Sequence, residues 1–241
     1  TSEAAILFAC DQLRKGKSDL VLTGGVDELS EFLFRGFSEL HFLATDQGHG
    51  ERSCPYDKKR NGMVLGEGAG ILAIETEEHA RSRGVKSYGY ILGYSLVGKS
   101  PKSTGPEDIR RPIRMTLSGR KGNSIDYLSG AGNSSKRLDA LEARGVKKAF
   151  ASQYAQIPVS SIKSMVGEAI ASGGMRMVAD VLSMEYGFIP PTINYLNPDP
   201  ACDLRYVVNQ RLDHEIGTIL HLGISPDDCF SSILIGVEWS P

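Results

Sequence analysis

The sequence predicts a layered α/β fold, and three observations support this prediction. Apolar runs of strand length alternate with stretches whose apolar residues recur at helical spacing. The 241 residues are 41% hydrophobic and 23% charged, as is typical of globular proteins. The longest apolar runs, such as 70–74 and 232–237, are much shorter than a membrane-spanning helix. We therefore expect a globular chain without a transmembrane segment.

Charge and cysteine content exclude two kinds of partner and indicate a compartment. The formal net charge is −2, and no run of Lys or Arg exceeds three residues, so the basic surface of a nucleic-acid-binding protein is missing. We expect neither nucleic acid nor a membrane as partner. The four cysteines form no CxxC pair, which predicts reduced, buried thiols in a cytoplasmic protein; they are Cys10, Cys54, Cys202 and Cys229.

The chain is predicted to begin with a largely buried helix. Between Ser2 and Arg14 the apolar residues recur at helical spacing, and Ser2 is a suitable N-cap. A short buried strand is predicted at 20–22. A second helical pattern covers 31–44, and the polar segment 45–53 after it predicts a surface loop.

Two predicted strands, 63–65 and 71–75, flank the glycine-rich segment 66–70, which we interpret as a turn. A dinucleotide-binding loop would require a helix after the glycines, whereas a strand follows here. A short helix is then predicted at 77–83 and a strand at 88–95.

Segment 96–108 is rich in Ser, Pro, Gly and Lys and lacks periodicity, which indicates a junction. We place a boundary near residue 90, giving parts 1–90 and 91–241. The second part repeats the alternation, with strands at 124–129, 159–161, 204–207, 217–222 and 231–237, and helices at 138–150 and 174–186.

The five histidines show no metal-ligand spacing. His41, His49, His79 and His214 lie in predicted loops or on helical faces without spaced partners. His221 lies in a predicted strand and is interpreted as a packing residue. The sequence therefore predicts no metal site.

Four stretches resemble β-ketoacyl synthases in the same order and at similar spacing. Residues 54–70 (CPYDKKRNGMVLGEGAG) resemble the signature R-P-F/W-D-x-x-R-D-G-F-V-x-G-E/D-G-A-G. Residues 127–150 resemble the stretch that carries H-G-T-S-T-x-x-x-D-x-x-E. Residues 159–174 resemble V-S-S-x-K-S-x-x-G-H, and 190–203 resemble P-P-T-I-N-x-x-N-P-D-x-x-C-D-L. The resemblance covers nearly the whole chain.

This resemblance implies a thiolase-like fold of two similar βαβαβαββ halves. Residues 1–90 would then be the C-terminal part of the first half, and residues 91–241 the whole second half. The family's nucleophilic cysteine precedes a Thr/Ser pair, which falls here at Thr1 and Ser2. The nucleophile position therefore lies just outside this chain.

The resemblance also implies that the catalytic positions are degenerate. The family uses two histidines as hydrogen-bond donors to the thioester enolate. The first falls at Ala131, which has no side-chain donor, and the second at Glu168, whose carboxylate would repel an enolate. Lys163 is retained, together with Asp139 and Glu142, and we interpret it as part of a structural ion pair. We therefore predict no catalytic residue, metal or bound cofactor in this chain.

This pattern is similar to the chain length factor, the β subunit of type II polyketide ketosynthases. There, an inactive β subunit pairs with an active ketosynthase α subunit, and their interface encloses the tunnel in which the poly-β-keto chain grows. The implied partners are the α subunit and, through the complex, the acyl carrier protein with its phosphopantetheine arm. The family's glycine-rich gate aligns with 224–228, which keeps neither its Phe nor its double Gly.

Candidates for lining that interface are Phe32, Phe34 and Phe37, although core packing is the simpler interpretation of each.

Two other functions stay open. One is a fragment of an active β-ketoacyl-acyl carrier protein synthase, against which Ala131 and Glu168 argue. The other is an N-terminal-nucleophile hydrolase using Thr1, which the immediate helix start disfavours.

The start of the chain prompts one further expectation. The buried face of the first helix requires a covering element. We expect an N-terminal fragment of the same polypeptide as a companion, with Thr1 as a candidate cleavage site.

Overall fold

The computed structural model describes residues 2–48, 50–99, 104–119, 125–225 and 228–237. The helices are α1 (Ser2–Arg14), α2 (Glu31–Glu39), α3 (Glu77–Arg83), α4 (Pro106–Thr116), α5 (Lys136–Phe150), α6 (Lys163–Val166) and α7 (Ser172–Tyr186), with a 3₁₀ helix at Ala151–Gln156. The strands are β1 (Leu20–Asp27), β2 (Gly68–Glu75), β3 (Tyr90–Gly98), β4 (Tyr127–Ser129), β5 (Pro158–Ser160), β6 (Phe188–Ile189), β7 (Arg205–Tyr206), β8 (Leu212–Asp213), β9 (Thr218–Ile224) and β10 (Cys229–Gly236).

A six-stranded sheet of order β3-β10-β9-β4-β5-β7 forms the centre. β3, β10 and β9 pair antiparallel, and β9, β4, β5 and β7 pair parallel. Alternate strand residues face opposite sides, so Leu128 and Leu220 join the core with α4 and α5. Tyr127 and Ile219 join the core with α1 and α7 on the other side. The sheet therefore lies between two helical layers.

β1 and β2 form a separate antiparallel pair beyond α1 and α7. The face of this pair that points away from the helices exposes Leu22 (70%), Val26 (73%) and Ile71 (51%). β6 and β8 form a second small antiparallel pair. In the described part of the chain, no helix is long and apolar enough to cross a membrane.

Most predicted elements are confirmed, and α1 and α3 have the predicted bounds. Helix α4 is missing from the sequence prediction. Pro112 lies inside it, and proline disfavours a helix interior, so its periodicity is hidden. The helix is stabilised by Ile109 and Ile113, which are buried against the sheet.

The prediction of a strand at 63–65 followed by a glycine turn is wrong. Met63 and Leu65 form only isolated bridges, and Gly68 and Gly70 lie within β2. An ideal Cβ on Gly70 would lie 2.2 Å from Met175 N of α7. Glycine therefore allows the close approach of this helix rather than a turn.

Two expectations about burial need correction. Phe32 and Phe34 are 84% and 48% exposed, so core packing is the wrong interpretation for both, and α2 has no buried residue. Cys229 is exposed, contrary to the prediction. The other three thiols are free and buried, and burial raises the pKa of Cys10 and Cys54 to about 11 and that of Cys202 to about 12.

Candidate functional site

A cavity of about 420 Å³ lies between α2, the start of α1, the segment from α6 to α7, and the facing ends of β9 and β10. Its apolar wall includes Leu33 and Phe37 of α2 and Phe42 beyond it. Its polar end includes Lys163 and Glu168, two positions singled out by the sequence. The cavity is therefore amphipathic and of the size of small-molecule sites.

Lys163 and Glu168 form an ion pair at the polar end of this cavity. Lys163 Nζ lies 2.8 Å from Glu168 Oε2, and the two side chains are only 5% and 13% exposed. Asn133 Nδ2 donates to the same oxygen at 2.8 Å, and Ser172 Oγ donates to Glu168 Oε1 at 2.9 Å. Three side-chain donors therefore hold this carboxylate.

The local backbone explains how the pair forms. α6 ends after one turn at Gly167, whose φ of +78° favours glycine. The next residue is fixed by two backbone bonds, from Glu168 N to Val64 O at 2.8 Å and from Gly66 N to Glu168 O at 2.9 Å. This turn brings the Glu168 side chain back to Lys163.

Ala131 lies in the loop after β4 and is buried. Its backbone N–H donates to Glu142 Oε1 at 2.6 Å. The other carboxylate oxygen of Glu142 accepts from Tyr56 Oη at 2.9 Å. Ala131 thus has no side-chain donor, and its backbone donor is already used.

Asp139 and Glu142, which we grouped with Lys163, hold the loop that contains Ala131. Asp139 accepts hydrogen bonds from Tyr56 N at 2.8 Å and Asn133 N at 3.0 Å. Burial raises the pKa of Asp139 to about 7 and also raises that of Glu142. Lys163 instead forms its ion pair with Glu168.

Asp57 joins two of the four family-like stretches. Its carboxylate accepts from the backbone N–H groups of Leu196 and Asn197, each at 2.6 Å, and from Lys59 N at 2.7 Å. The side chain of Arg60 donates to Asp199 Oδ2 at 2.6 Å. These bonds attach segment 54–62 to segment 190–203.

A buried charged network lies behind the cavity and was missed in the sequence. His221 is fully buried, as expected of a packing residue, and its Nδ1 also lies 2.6 Å from Asp180 Oδ2, within hydrogen-bond distance. Arg176 Nη1 and His221 Nε2 each lie 3.6 Å from Glu3 Oε1. Burial disfavours the charged Glu3, but His221 and Arg176 more than offset this and hold its pKa well below the usual range.

Arg176 and Asp180 lie four residues apart on α7, but this spacing does not indicate their partners Glu3 and His221, which lie on other elements. Arg176 Nη2 also donates to the carbonyls of Ser129, at 2.9 Å, and Leu222, at 2.8 Å. The arginine therefore binds α7 to the ends of β4 and β9.

The remaining sequence candidates do not join this site. Among the residues that the structure describes, no group of three or more His, Cys, Asp and Glu side chains is placed to hold a metal ion. His79 contacts Glu75 at 2.5 Å on the surface side of β2 and α3. Thr1, His49 and residues 226–227 of the gate segment lie outside the described residues.

Two family models match the chain. The N-terminal domain of β-ketoacyl synthase matches residues 1–80, and its C-terminal domain matches residues 98–196. The chain belongs to the β-ketoacyl synthase family, and its fold is thiolase-like.

Two curated relatives illustrate the range of the family. The chain is 31% identical over 230 residues to the ketoacyl synthase α subunit of the tetracenomycin polyketide synthase of Streptomyces glaucescens, covering 91% of this chain and 54% of the relative. It is 34% identical over 221 residues to 3-oxoacyl-[acyl-carrier-protein] synthase 2 of Coxiella burnetii, covering 88% and 53%. The chain thus spans about half the length of these relatives.

Two solved structures are similar over nearly the whole chain. One is a type II polyketide ketosynthase in complex with its acyl-carrier protein (AntDE:AntF), with a TM-score of 0.92, 31% identity and coverage of 98% of this chain and 60% of that chain. The other is the ishigamide ketosynthase/chain length factor, with a TM-score of 0.90, 29% identity and coverage of 99% and 59%.

Proposed function

We propose that this chain is part of a chain length factor, a ketosynthase β subunit without condensing activity of its own. One observation carries the proposal. At the position where the resemblance places the second histidine donor, Glu168 is a carboxylate held by Lys163, Asn133 and Ser172. An acceptor in this position offers no hydrogen bond to an enolate oxygen.

The first donor position leads to the same conclusion. A decarboxylating condensation needs donors aimed at the oxygen on which negative charge develops, and loss of one such donor costs about 3 kcal/mol. Ala131 has no polar side-chain atom, and its N–H is bonded to Glu142. Lys163 is the nearby cation, and its ammonium is paired with Glu168.

The role as a partner subunit draws support from two exposed apolar surfaces. Phe32 and Phe34 project from α2, and Leu22 and Val26 from the outer face of β1. Such surfaces are typical of protein–protein contacts. In this proposal they belong to a soluble, cytoplasmic complex with a ketosynthase α subunit, and the acyl carrier protein delivers phosphopantetheine-bound acyl groups to that subunit.

A second candidate is a fragment of an active β-ketoacyl-acyl carrier protein synthase. The similarity to 3-oxoacyl-[acyl-carrier-protein] synthase 2 favours it. This candidate needs another source of enolate stabilisation, because neither Ala131 nor Glu168 supplies a hydrogen-bond donor. We therefore rank it second.

Co-expression of the full-length coding sequence with a ketosynthase α subunit tests the proposal. Native mass spectrometry should show a one-to-one complex, and the subunit alone should not decarboxylate malonyl-carrier protein. The variant Glu168→His should stay inactive, since Ala131 still lacks a donor. Decarboxylation by the isolated subunit above a denatured control would support the active synthase instead.

A further inference from the structure

The helical layer formed by α4 and α5 has a strongly basic outer surface. The cations of these two helices are Arg110, Arg111, Arg114, Lys136, Arg137, Arg144, Lys147 and Lys148. Three of their acidic residues, Asp108, Asp139 and Glu142, are buried. Of the acidic side chains of α4 and α5, this leaves Glu107 on the surface. We call this surface the basic face; helical spacing separates its cations, so no long run of Lys or Arg appears in the sequence.

Most of this positive charge is not neutralised within the chain. Arg110 and Lys148 share Glu107, and Lys147 pairs with Asp203. The cations of the basic face that form no ion pair with a described residue are Arg111, Arg114, Lys136 and Arg144. The basic face therefore offers free positive charge to a partner, although the whole chain has a net charge of −2.

The two helices of the basic face run antiparallel and in close contact. Lys148 Nζ lies 2.9 Å from Glu107 Oε2, and an ideal Cβ on Gly145 would lie 2.3 Å from Ile109 Cβ. The start of α4 therefore lies beside the end of α5. Two helices packed in this way have axes about 8–10 Å apart and leave a shallow groove along their outer surface.

Each helix contributes a row of exposed side chains along this surface. On α5, Arg137, Arg144 and Lys148 follow the i, i+7, i+11 spacing of one helix face. This row extends about 16 Å along the helix axis. On α4, Arg111 and Met115 lie one turn apart, and Met115 is 53% exposed. The basic face therefore combines a row of cations with an apolar contact.

An acidic helix of another protein matches both features. Glu or Asp residues at i, i+4, i+7 and i+11 form a row of carboxylates of the same length on one helix face. An apolar residue beside that row can contact Met115, whose thioether adapts to irregular surfaces. A nucleic acid matches less well, because the net negative charge of the chain opposes the approach of a polyanion.

We infer that the basic face of α4 and α5 binds an acidic amphipathic helix of a partner protein. The carboxylates of that helix pair with Arg111, Arg114 and Arg144, which have no ion pair within the described chain. The basic face lies on the opposite side of the central sheet from α1 and α7. This inference goes beyond the role proposed above, since it holds whether or not the chain lacks condensing activity.

Two labelled peptides of identical composition test the inference. Each is an alanine-rich helix of about 18 residues, a length at which such peptides become helical. One carries four Glu residues at i, i+4, i+7 and i+11, and the other has the same Glu residues distributed around the helix. Fluorescence anisotropy with the full chain should show saturable binding of the first peptide, at least about threefold tighter than the second. Added salt should weaken this binding.

A pair of double variants with equal charge change separates the basic face from net charge. Arg114→Gln with Arg144→Gln should weaken binding of the patterned peptide at least about threefold. Lys15→Gln with Lys17→Gln is the control, because both lysines are exposed and follow α1 in the other helical layer. This control should leave the affinity nearly unchanged.

Four results would overturn the inference. They are absence of saturable binding of the patterned peptide, equal binding of the two peptides, equal weakening in both double variants, and tighter binding of an oligothymidylate with the same charge as the peptide. The last result would assign the basic face to nucleic acid. If the arginine variant does not fold, the peptide and oligonucleotide comparison in the unaltered chain still decides.

Discussion

Lys163 Nζ lies 2.8 Å from Glu168 Oε2, and this buried ion pair occupies the polar end of the cavity beside α2. The sequence alone suggested that the Glu168 carboxylate is a free charge that faces the reacting group. In the structure this carboxylate is instead bound by Lys163. Its charge is balanced locally, and the ammonium of Lys163 is engaged. The pair is a structural element at a position where the family resemblance places a catalytic donor.

Removal of one partner of this pair should destabilise the fold. Glu168→Gln leaves the Lys163 ammonium buried without a counter-charge, and such changes cost about 3 kcal/mol or more. We expect this loss in the free energy of unfolding measured by urea denaturation. The control is Glu31→Gln, which breaks the solvent-exposed pair with Arg35 and should change stability very little. Equal effects of the two variants would contradict the structural role of the buried pair.

Asp57 should make stability depend on acid pH. Burial disfavours its charge, but the N–H donors of Lys59, Asn197 and Leu196 more than offset this, so its pKa is lowered. A carboxyl with a lowered folded-state pKa stabilises the fold above its unfolded-state pKa of about 4, and the stabilisation is lost as the pH falls through the folded value.

Asp57→Asn should therefore reduce the free energy of unfolding at pH 7 by about 2 kcal/mol, because a charged acceptor of several N–H groups is lost. Urea denaturation at pH 7, 5 and 3 should show this difference shrinking below about pH 4. A difference that stays constant down to pH 2.5 would show that Asp57 does not cause it.

Gly70 should be intolerant of any side chain. Gly70→Ala places a methyl group 2.2 Å from the position of Met175 N in α7, and both atoms belong to rigid elements. The expected loss is about 3 kcal/mol, the upper end of the cost of overpacking. Gly98→Ala is the control, since an ideal Cβ on Gly98 meets nothing within 4 Å. Comparable thermal unfolding of both variants would contradict the close packing of β2 against α7.

The family-like stretches allowed more to be predicted than periodicity did. The bounds of α1 and α3 followed from apolar spacing. The structure adds that Thr76 caps α3, because its side chain accepts a hydrogen bond from His79 N. The positions Ala131 and Glu168 followed from resemblance alone. The hydrogen-bond partners of these two positions could not be predicted from the sequence. Glu168 meets Asn133 only because the loop beyond β4 folds against α6.

The network around Glu3 shows a second limit of the sequence. Arg176 and His221 meet Glu3 across three separate elements, and no local pattern encodes such contacts. The exposure of Phe32 illustrates a third limit of prediction from the sequence. Helical periodicity identified an amphipathic helix, but it does not tell which surface the apolar face covers.

Phe37 should influence product length if the chain shapes a polyketide tunnel. It lines the cavity, so Phe37→Ala enlarges the space available to a growing chain. In a reconstituted complex with a ketosynthase α subunit, mass spectrometry of the products should show a shift toward longer chains. Phe32→Ala is the matched control on the same helix, because Phe32 is 84% exposed and does not line the cavity. An unchanged product distribution in Phe37→Ala would exclude this side chain from setting the length.

The central claim is that the protein contributes no condensing site of its own. The most direct measurement uses the complex of the full-length protein with an α subunit whose two catalytic histidines are replaced by alanine. We predict that this complex does not decarboxylate malonyl-carrier protein above a denatured control, whereas the complex with the unaltered α subunit does. Decarboxylation that persists when the α subunit is disabled would place an active site in this protein and contradict the account.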